Sequence, residues 1–194
     1  MRRTLCGLLL ILACALPARA ADFKLYGSYW NTSDLSNTFG GGLGFGIPLG
    51  QTPLSIAISG TYYRQLSDRP LHNLFSDNEQ GFFSSNSIRV TPIDATLQWR
   101  FPGNGTVEPW IGAGATYFLI SSSRHDLDFN DETGWNAGAG LRVGESHGPA
   151  FFAEALYRNT KATVRHTGST ISLVDRESIK LDGFGANAGV AWRW

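Results

Sequence analysis

The side chains best equipped for chemistry in this sequence are four histidines and a set of charges placed at alternating positions. Lys24, Asp94, Arg100, Arg142 and Glu154 each stand between two apolar neighbours, and Arg158 follows Tyr157. On a strand, such spacing puts the charge on one face and its neighbours on the other. Charges confined together must be paired or hydrated. Asp94, Arg100, Arg142, Glu154 and Arg158 are therefore read as one charge network. Its plain form is a salt-bridged plug; the sharper alternative is a proton relay or ion gate. Arg142 and Glu154 are expected to be diagonal neighbours on paired strands. A lipid-modifying enzyme would need a serine nucleophile beside a histidine base. His72, His125 and His166 fall in longer polar stretches and His147 in a short turn. The nearest approach to such a pair is His166 with Ser169. His125 with Asp126 and Asp128 offers a weak cation ligand set on a solvated loop. The expectation is no enzyme, no cofactor and no metal.

Composition narrows the classes further. Residues 1–20 carry Arg2 and Arg3, an apolar run from Leu5 to Leu16, and Ala18-Arg19-Ala20. This is the pattern of a cleaved secretory signal, with an apolar run too short to span a bilayer as a helix. Cleavage is expected between Ala20 and Ala21. The alternative is a lipoprotein cut before Cys14, from the lipobox-like Ile11-Leu12-Ala13-Cys14, but Leu12 fits that motif poorly. Both cysteines, Cys6 and Cys14, lie in this segment, so residues 21–194 hold no thiol for a disulfide, a thiolate metal site or a nucleophile. Removing Arg2, Arg3 and Arg19 from the sixteen basic residues leaves thirteen against sixteen acidic ones, a formal −3. No nucleic-acid partner is implied. No apolar stretch after residue 20 is long enough for a transmembrane helix.

The elements that must position the charges are strands. Eight segments alternate with period two: Phe23 to Trp30, Phe39 to Ile47, Leu54 to Tyr63, Ile93 to Phe101, Trp110 to Leu119, Trp135 to Val143, Phe151 to Arg158, and Phe184 to Trp194. Ile88 and Val90 fall in the opposite phase to the fourth segment, and a bulge or strand start near Pro92 is expected to account for it. Gaps alternate between short turns (Pro48 to Pro53, Pro102 to Glu108, Gly144 to Ala150) and longer polar loops (Arg64 to Ser87, Ser121 to Thr133, Arg158 to Ser178); the first gap, Asn31 to Thr38, is short but falls on the long-loop side. An even strand number with short turns on one side and long loops on the other is the organisation of an outer-membrane barrel. The fold class is all-β: an eight-stranded antiparallel transmembrane β-barrel over residues 21–194, with both termini periplasmic.

Aromatic placement separates this from a soluble barrel. On the apolar faces, Phe23, Trp99, Phe101, Phe151, Trp192 and Trp194 sit at strand ends beside turns or termini. Tyr29, Phe39, Tyr62, Tyr117, Trp135, Tyr157 and Phe184 sit beside the longer loops. Two aromatic rings around an aliphatic band is what a bilayer selects. The apolar faces then meet lipid and the charges turn inward. Many inward positions are glycine, and the large inward residues include Tyr26, Trp30, Tyr63, Phe118 and Phe152. Either these rings fill the space that the glycines vacate, or they line a narrow apolar pocket.

The terminal stretch Leu181 to Trp194 resembles the closing strand of small outer-membrane barrels of the OmpA and OmpW type. That resemblance implies that Val190, Trp192 and Trp194 form the signal read by the barrel-assembly machinery. Pro92 to Phe101, followed by Pro109-Trp110-Ile111-Gly112-Ala113-Gly114, is similar to the central hairpin of the OmpW-like group, which implies a small hydrophobic ligand. The first expectation is an integral outer-membrane protein with a structural or surface-interaction role, in contact with lipid and lipopolysaccharide. The alternative is a narrow channel for small hydrophobic molecules; a remoter one is lipid A modification.

Overall fold

A computed structural model describes residues 21–33, 37–66, 88–102, 106–122, 127–129, 132–145, 147–166 and 177–194. Residues 1–20, and with them the expected cleavage signal, lie outside this set.

The strands in chain order are β1 (Asp22–Thr32), β2 (Thr38–Pro48), β3 (Leu54–Leu66), β4 (Ile88–Arg100), β5 (Val107–Ser122), β6 (Leu127–Phe129), β7 (Glu132–Gly144), β8 (Gly148–Asn159), β9 (Lys161–His166), β10 (Glu177–Lys180) and β11 (Gly183–Arg193). Eight of them close into a barrel in the order β1-β11-β8-β7-β5-β4-β3-β2. Every neighbouring pair is antiparallel, and β1 pairs with β11 from Asp22↔Arg193 to Thr32↔Gly183. Closure leaves no strand edge unpaired, the condition for a sheet that crosses hydrocarbon. No helix among the described residues is long and apolar enough to cross a membrane, which says nothing against a barrel.

Period-two alternation sets the two faces. Leu25, Leu43, Leu97 and Ile111 are about half exposed on the outer wall, whereas Tyr26, Trp30, Asp94, Trp110 and Arg158 are buried inside. Tyr29 and Phe39 touch on the wall near one end (ring centroids 5.2 Å apart), and Trp135, Tyr157 and Phe184 continue the belt with spacings of 5.4 and 4.9 Å. Near the other end lie the Phe23–Phe45 pair and the exposed rings of Trp99, Phe101, Phe151, Trp192 and Trp194. The second belt marks the turn end, where β2–β3, β4–β5 and β7–β8 connect; the first marks the loop end. In the β2–β3 turn, Gly50 adopts φ +64, a backbone region that favours glycine.

Three readings of the sequence need correction. Short strands β6, β9 and β10 form a separate three-stranded sheet, ordered β10-β9-β6, within stretches read as loops. β6 and β10 are too short for a period to register, and β9 spans only six residues. The barrel strands also overrun the expected boundaries, so that the β7–β8 turn is shorter than Gly144 to Ala150. Finally, neither a bulge nor a strand start falls at Pro92, since β4 begins at Ile88. Val90, Pro92 and Asp94 all face inward in one phase, and the register shift lies between Tyr63 and Leu66 on β3. Val90 is simply an apolar residue of the interior. Pro92 keeps its pairing to Phe118 of β5, while the ladder to β3 lapses between Gly60↔Ile93 and Tyr63↔Val90, where the missing proline N–H is tolerated.

Candidate functional site

The barrel interior is the candidate site, and it is built in layers. Nearest the loop end, Trp30 of β1, Tyr63 of β3, Val90 of β4 and Phe118 of β5 are all fully buried. The Trp30 ring lies 5.1 Å from Tyr63 and 6.1 Å from Phe118. Glycine makes room for such rings. A Cβ added at Gly40 would fall 2.6 Å from the Tyr63 ring, and one at Gly42 would fall 2.5 Å from the Tyr26 ring.

Beneath the aromatic layer, Arg158 of β8 reaches across to Asp94 of β4. Arg158 Nη2 donates to Asp94 Oδ2 at 2.7 Å, and its Nε donates to both carboxylate oxygens at 3.1 and 3.2 Å. Thr116 Oγ1 donates to Asp94 Oδ1 at 2.6 Å, and Asn136 Nδ2 donates in turn to Thr116 at 2.9 Å. The Arg158 guanidinium also sits 5.6 Å from the Trp30 ring, a cation–π contact that binds the two layers. A buried guanidinium held by a two-oxygen carboxylate and an aromatic face has its charge compensated on the spot.

The next layer joins Lys24 of β1 to Glu154 of β8 at 3.1 Å. Asn187 Nδ2 donates to the other Glu154 oxygen at 2.8 Å. Lys24 Nζ lies over the Phe152 ring at 4.8 Å and the Trp110 ring at 5.2 Å. Tyr26 meets Phe152 edge-on at 5.9 Å. A void of about 30 Å³ lies beside Lys24, Gln98, Trp110, Asn136 and Glu154. It has room for about one water molecule.

At the turn end four inward charges pair with one another in a ring across the barrel. Arg193 donates to Asp22 through Nε (2.6 Å) and Nη2 (3.0 Å), and to Glu108 through Nη1 (2.8 Å) and Nη2 (3.1 Å). Arg100 completes it with Asp22 at 2.6 Å and Glu108 at 3.4 Å, while its Nε donates to Ser55. The ring ties the first and last strands to β4 and β5 on the far wall.

The five charges read as one network are therefore distributed over separate groups. Asp94 and Arg158 form one pair, Glu154 belongs with Lys24, and Arg100 joins the turn-end ring. Arg142 is diagonal to Glu154 in register, since Arg142 faces Phe152 and Gly140 faces Glu154. No ion pair joins the two. Arg142 donates instead to the carbonyls of Glu145 (2.7 Å) and Gly148 (3.3 Å). Of the inward rings, Trp30 packs against Tyr63 and Phe118, Tyr26 meets Phe152, and Tyr63 and Tyr26 stand over Gly40 and Gly42. Val190, Trp192 and Trp194 are about half exposed on the outer wall. Among the histidines, His147 is exposed in the β7–β8 turn. His72, His125, Asp126 and Ser169 lie outside the described residues. The side chains of Asp128 and His166 are not described.

Asp22, Glu108 and Arg193 were missed as site residues. Each sits on the inward phase, two positions from Lys24, Trp110 and Ala191, so counting the strands outward would have found them. The cross-lumen pairing itself depends on strand stagger, which no local signal carries.

Residues 6–193 match the family model of the outer membrane protein beta-barrel domain. No curated protein sequence matches. Among solved structures, the chain is similar to Neisserial surface protein A (TM-score 0.57, 16% identity, covering 90% of this chain and 96% of that one). It is also similar to outer membrane protein AlkL in lipid bilayers (TM-score 0.54, 14% identity, 93% of each chain). A major outer membrane protein of Thermus thermophilus gives TM-score 0.51 and 10% identity, covering 91% of this chain and all of that one. At these identities the likeness is one of fold. The family match covers nearly the whole chain: the protein belongs to the outer membrane protein β-barrel family and is an integral protein of the outer membrane.

Proposed function

We propose that this outer-membrane barrel works as a sealed anchor that presents its loop-end segments for contact with a surface partner. The carrying observation is the succession of filled layers: the aromatic cluster, the Asp94–Arg158 pair, the Lys24–Glu154 group and the turn-end ring. Among the described residues, the space recorded beside the Lys24–Glu154 group is about 30 Å³, room for about one water. Each cationic head in the upper layers meets a carboxylate and an aromatic ring, an arrangement suited to holding strands together.

In this reading the turn end and both termini face the periplasm, after export and removal of residues 1–20. The loop end faces out, where the belt of Tyr29, Phe39, Trp135, Tyr157 and Phe184 lies at the headgroup level of lipopolysaccharide. The small β10-β9-β6 sheet draws two different loop regions into one unit, and loops on a rigid scaffold are where binding specificity resides. The stripe of Val190, Trp192 and Trp194 is the surface offered to the barrel-assembly machinery. No catalytic step is assigned to the chain.

Planar-bilayer recordings with purified protein, paired with solute uptake into loaded liposomes, test the proposal. A sealed barrel gives no stepwise conductance and no uptake. Steady single-channel openings, or uptake of small hydrophobic solutes, would establish the narrow-channel alternative instead.

A further inference from the structure

Inside the turn end, three guanidinium groups (Arg100, Arg142 and Arg193) stand with two carboxylates (Asp22 and Glu108), while Glu145 is exposed on the β7–β8 turn. Asp22 and Glu108 are engaged by Arg100 and Arg193. No carboxylate among the described residues pairs with Arg142. That side chain is 7% exposed; two of its nitrogens donate to turn carbonyls, and its Nε has no partner. A cation so withdrawn from water calls for a counter-charge.

Arg142 also lines a cleft of about 630 Å³ beneath the β2–β3 and β4–β5 turns, together with Gln51, Trp99, Phe101, Thr106 and Glu108. Glu108, whose oxygens accept from Arg193 at 2.8 and 3.1 Å, is outnumbered along the cleft by the Arg100 and Arg142 guanidinium groups. Trp99 and Phe101 belong to the lipid-facing belt and are 47% and 40% exposed. The cleft thus connects a guanidinium that has no ion pair among the described residues with the level at which aromatic rings meet lipid headgroups.

We propose that this cleft binds a phosphate group, with Arg142 as the cationic anchor and Trp99 and Phe101 as the lipid-side wall. The same chemistry has two sources, the headgroup of an anionic phospholipid and free inorganic phosphate. Guanidinium groups suit both, because their paired N–H donors match phosphate oxygens. The site does not depend on whether the lumen conducts.

The test uses purified protein in a non-ionic maltoside detergent. Native mass spectrometry counts retained phosphatidylglycerol against phosphatidylcholine. Thermal unfolding is followed with inorganic phosphate against chloride at equal ionic strength. Wild type is compared with Arg142→Gln, Arg142→Lys and, as a charge-matched control at an exposed loop-end position, Arg89→Gln. Selective retention of phosphatidylglycerol that falls roughly tenfold or more in Arg142→Gln, partly returns in Arg142→Lys and persists in Arg89→Gln supports a lipid source. Stabilisation by phosphate alone, with the same pattern across variants, supports a free anion. If neither ligand is preferred by wild type, or Arg142→Gln binds as well as wild type, the proposal is overturned and Arg142 serves only to clasp the β7–β8 turn. Should Arg142→Gln fail to fold, the two wild-type comparisons decide.

Discussion

Replacing Asp94 by alanine strips Arg158 of its counter-ion in the middle of the barrel. Arg158 is fully buried and makes three hydrogen bonds to that carboxylate. What remains is a long contact of 3.5 Å to the Tyr63 hydroxyl and the face of Trp30. Thr116 loses its acceptor as well. Breaking a buried pair from one side costs about 3–5 kcal/mol, and full burial with three lost charged hydrogen bonds places this site toward the upper end. The combined Asp94→Leu and Arg158→Met variant removes both charges and should lose less than half as much, because no lone ion is left behind. Urea unfolding of protein refolded into lipid vesicles, followed by tryptophan fluorescence, gives both values. A penalty below about 1 kcal/mol for Asp94→Ala would mean that water reaches Arg158. The layers above and below it would then not close the lumen.

Interior glycines should not tolerate a side chain where a ring stands against them. Gly42→Val, whose Cβ would fall 2.5 Å from the Tyr26 ring, is expected to cost about 1–3 kcal/mol in the same unfolding assay. Gly27→Ala on the outer wall meets nothing within 4 Å and should be neutral or slightly stabilising. Leu97→Arg, at mid-height of the outer wall, should destabilise by about 2–4 kcal/mol, whereas Trp192→Arg near the turn-end belt should cost only about 0–1 kcal/mol for the charge itself. The intact mass of protein extracted from outer membranes should correspond to a chain beginning at Ala21; a lipid-modified chain beginning at Cys14 would contradict the expected cleavage.

Strand number, face assignment and the aromatic belts were legible because each follows from a local period. Leu97 and Gln98, or Ala153 and Glu154, declare opposite faces by adjacency alone. The match of large to small inside was also legible in part: inward glycines on some strands called for Tyr26 and Tyr63 on others. Partner choice was not. Asp94 and Arg158 are 64 residues apart and meet only after the barrel has closed with its particular stagger. The same limit hid the turn-end ring, whose members come from four strands. Val90 misled the phase count because an apolar residue on the inner face looks like an outer one out of step. Only its pairing with the buried Tyr63 across the inner wall explains it. β6 and β10 are only three and four residues long, too short to tell from loop, whereas β9 sets Ala162 and Val164 between Lys161, Thr163 and Arg165, an alternation that the loop reading passed over.

The most direct measurement uses the absence of cysteine from residues 21–194. Single cysteines at Leu97 and Gln98, spin-labelled in vesicles, report collisions with oxygen, which concentrates in lipid, and with a water-soluble nickel chelate. The account predicts high oxygen access and low chelate access at position 97, with both low at position 98, where a packed interior shields the label. Chelate access at position 97, or oxygen access higher at 98 than at 97, would contradict it.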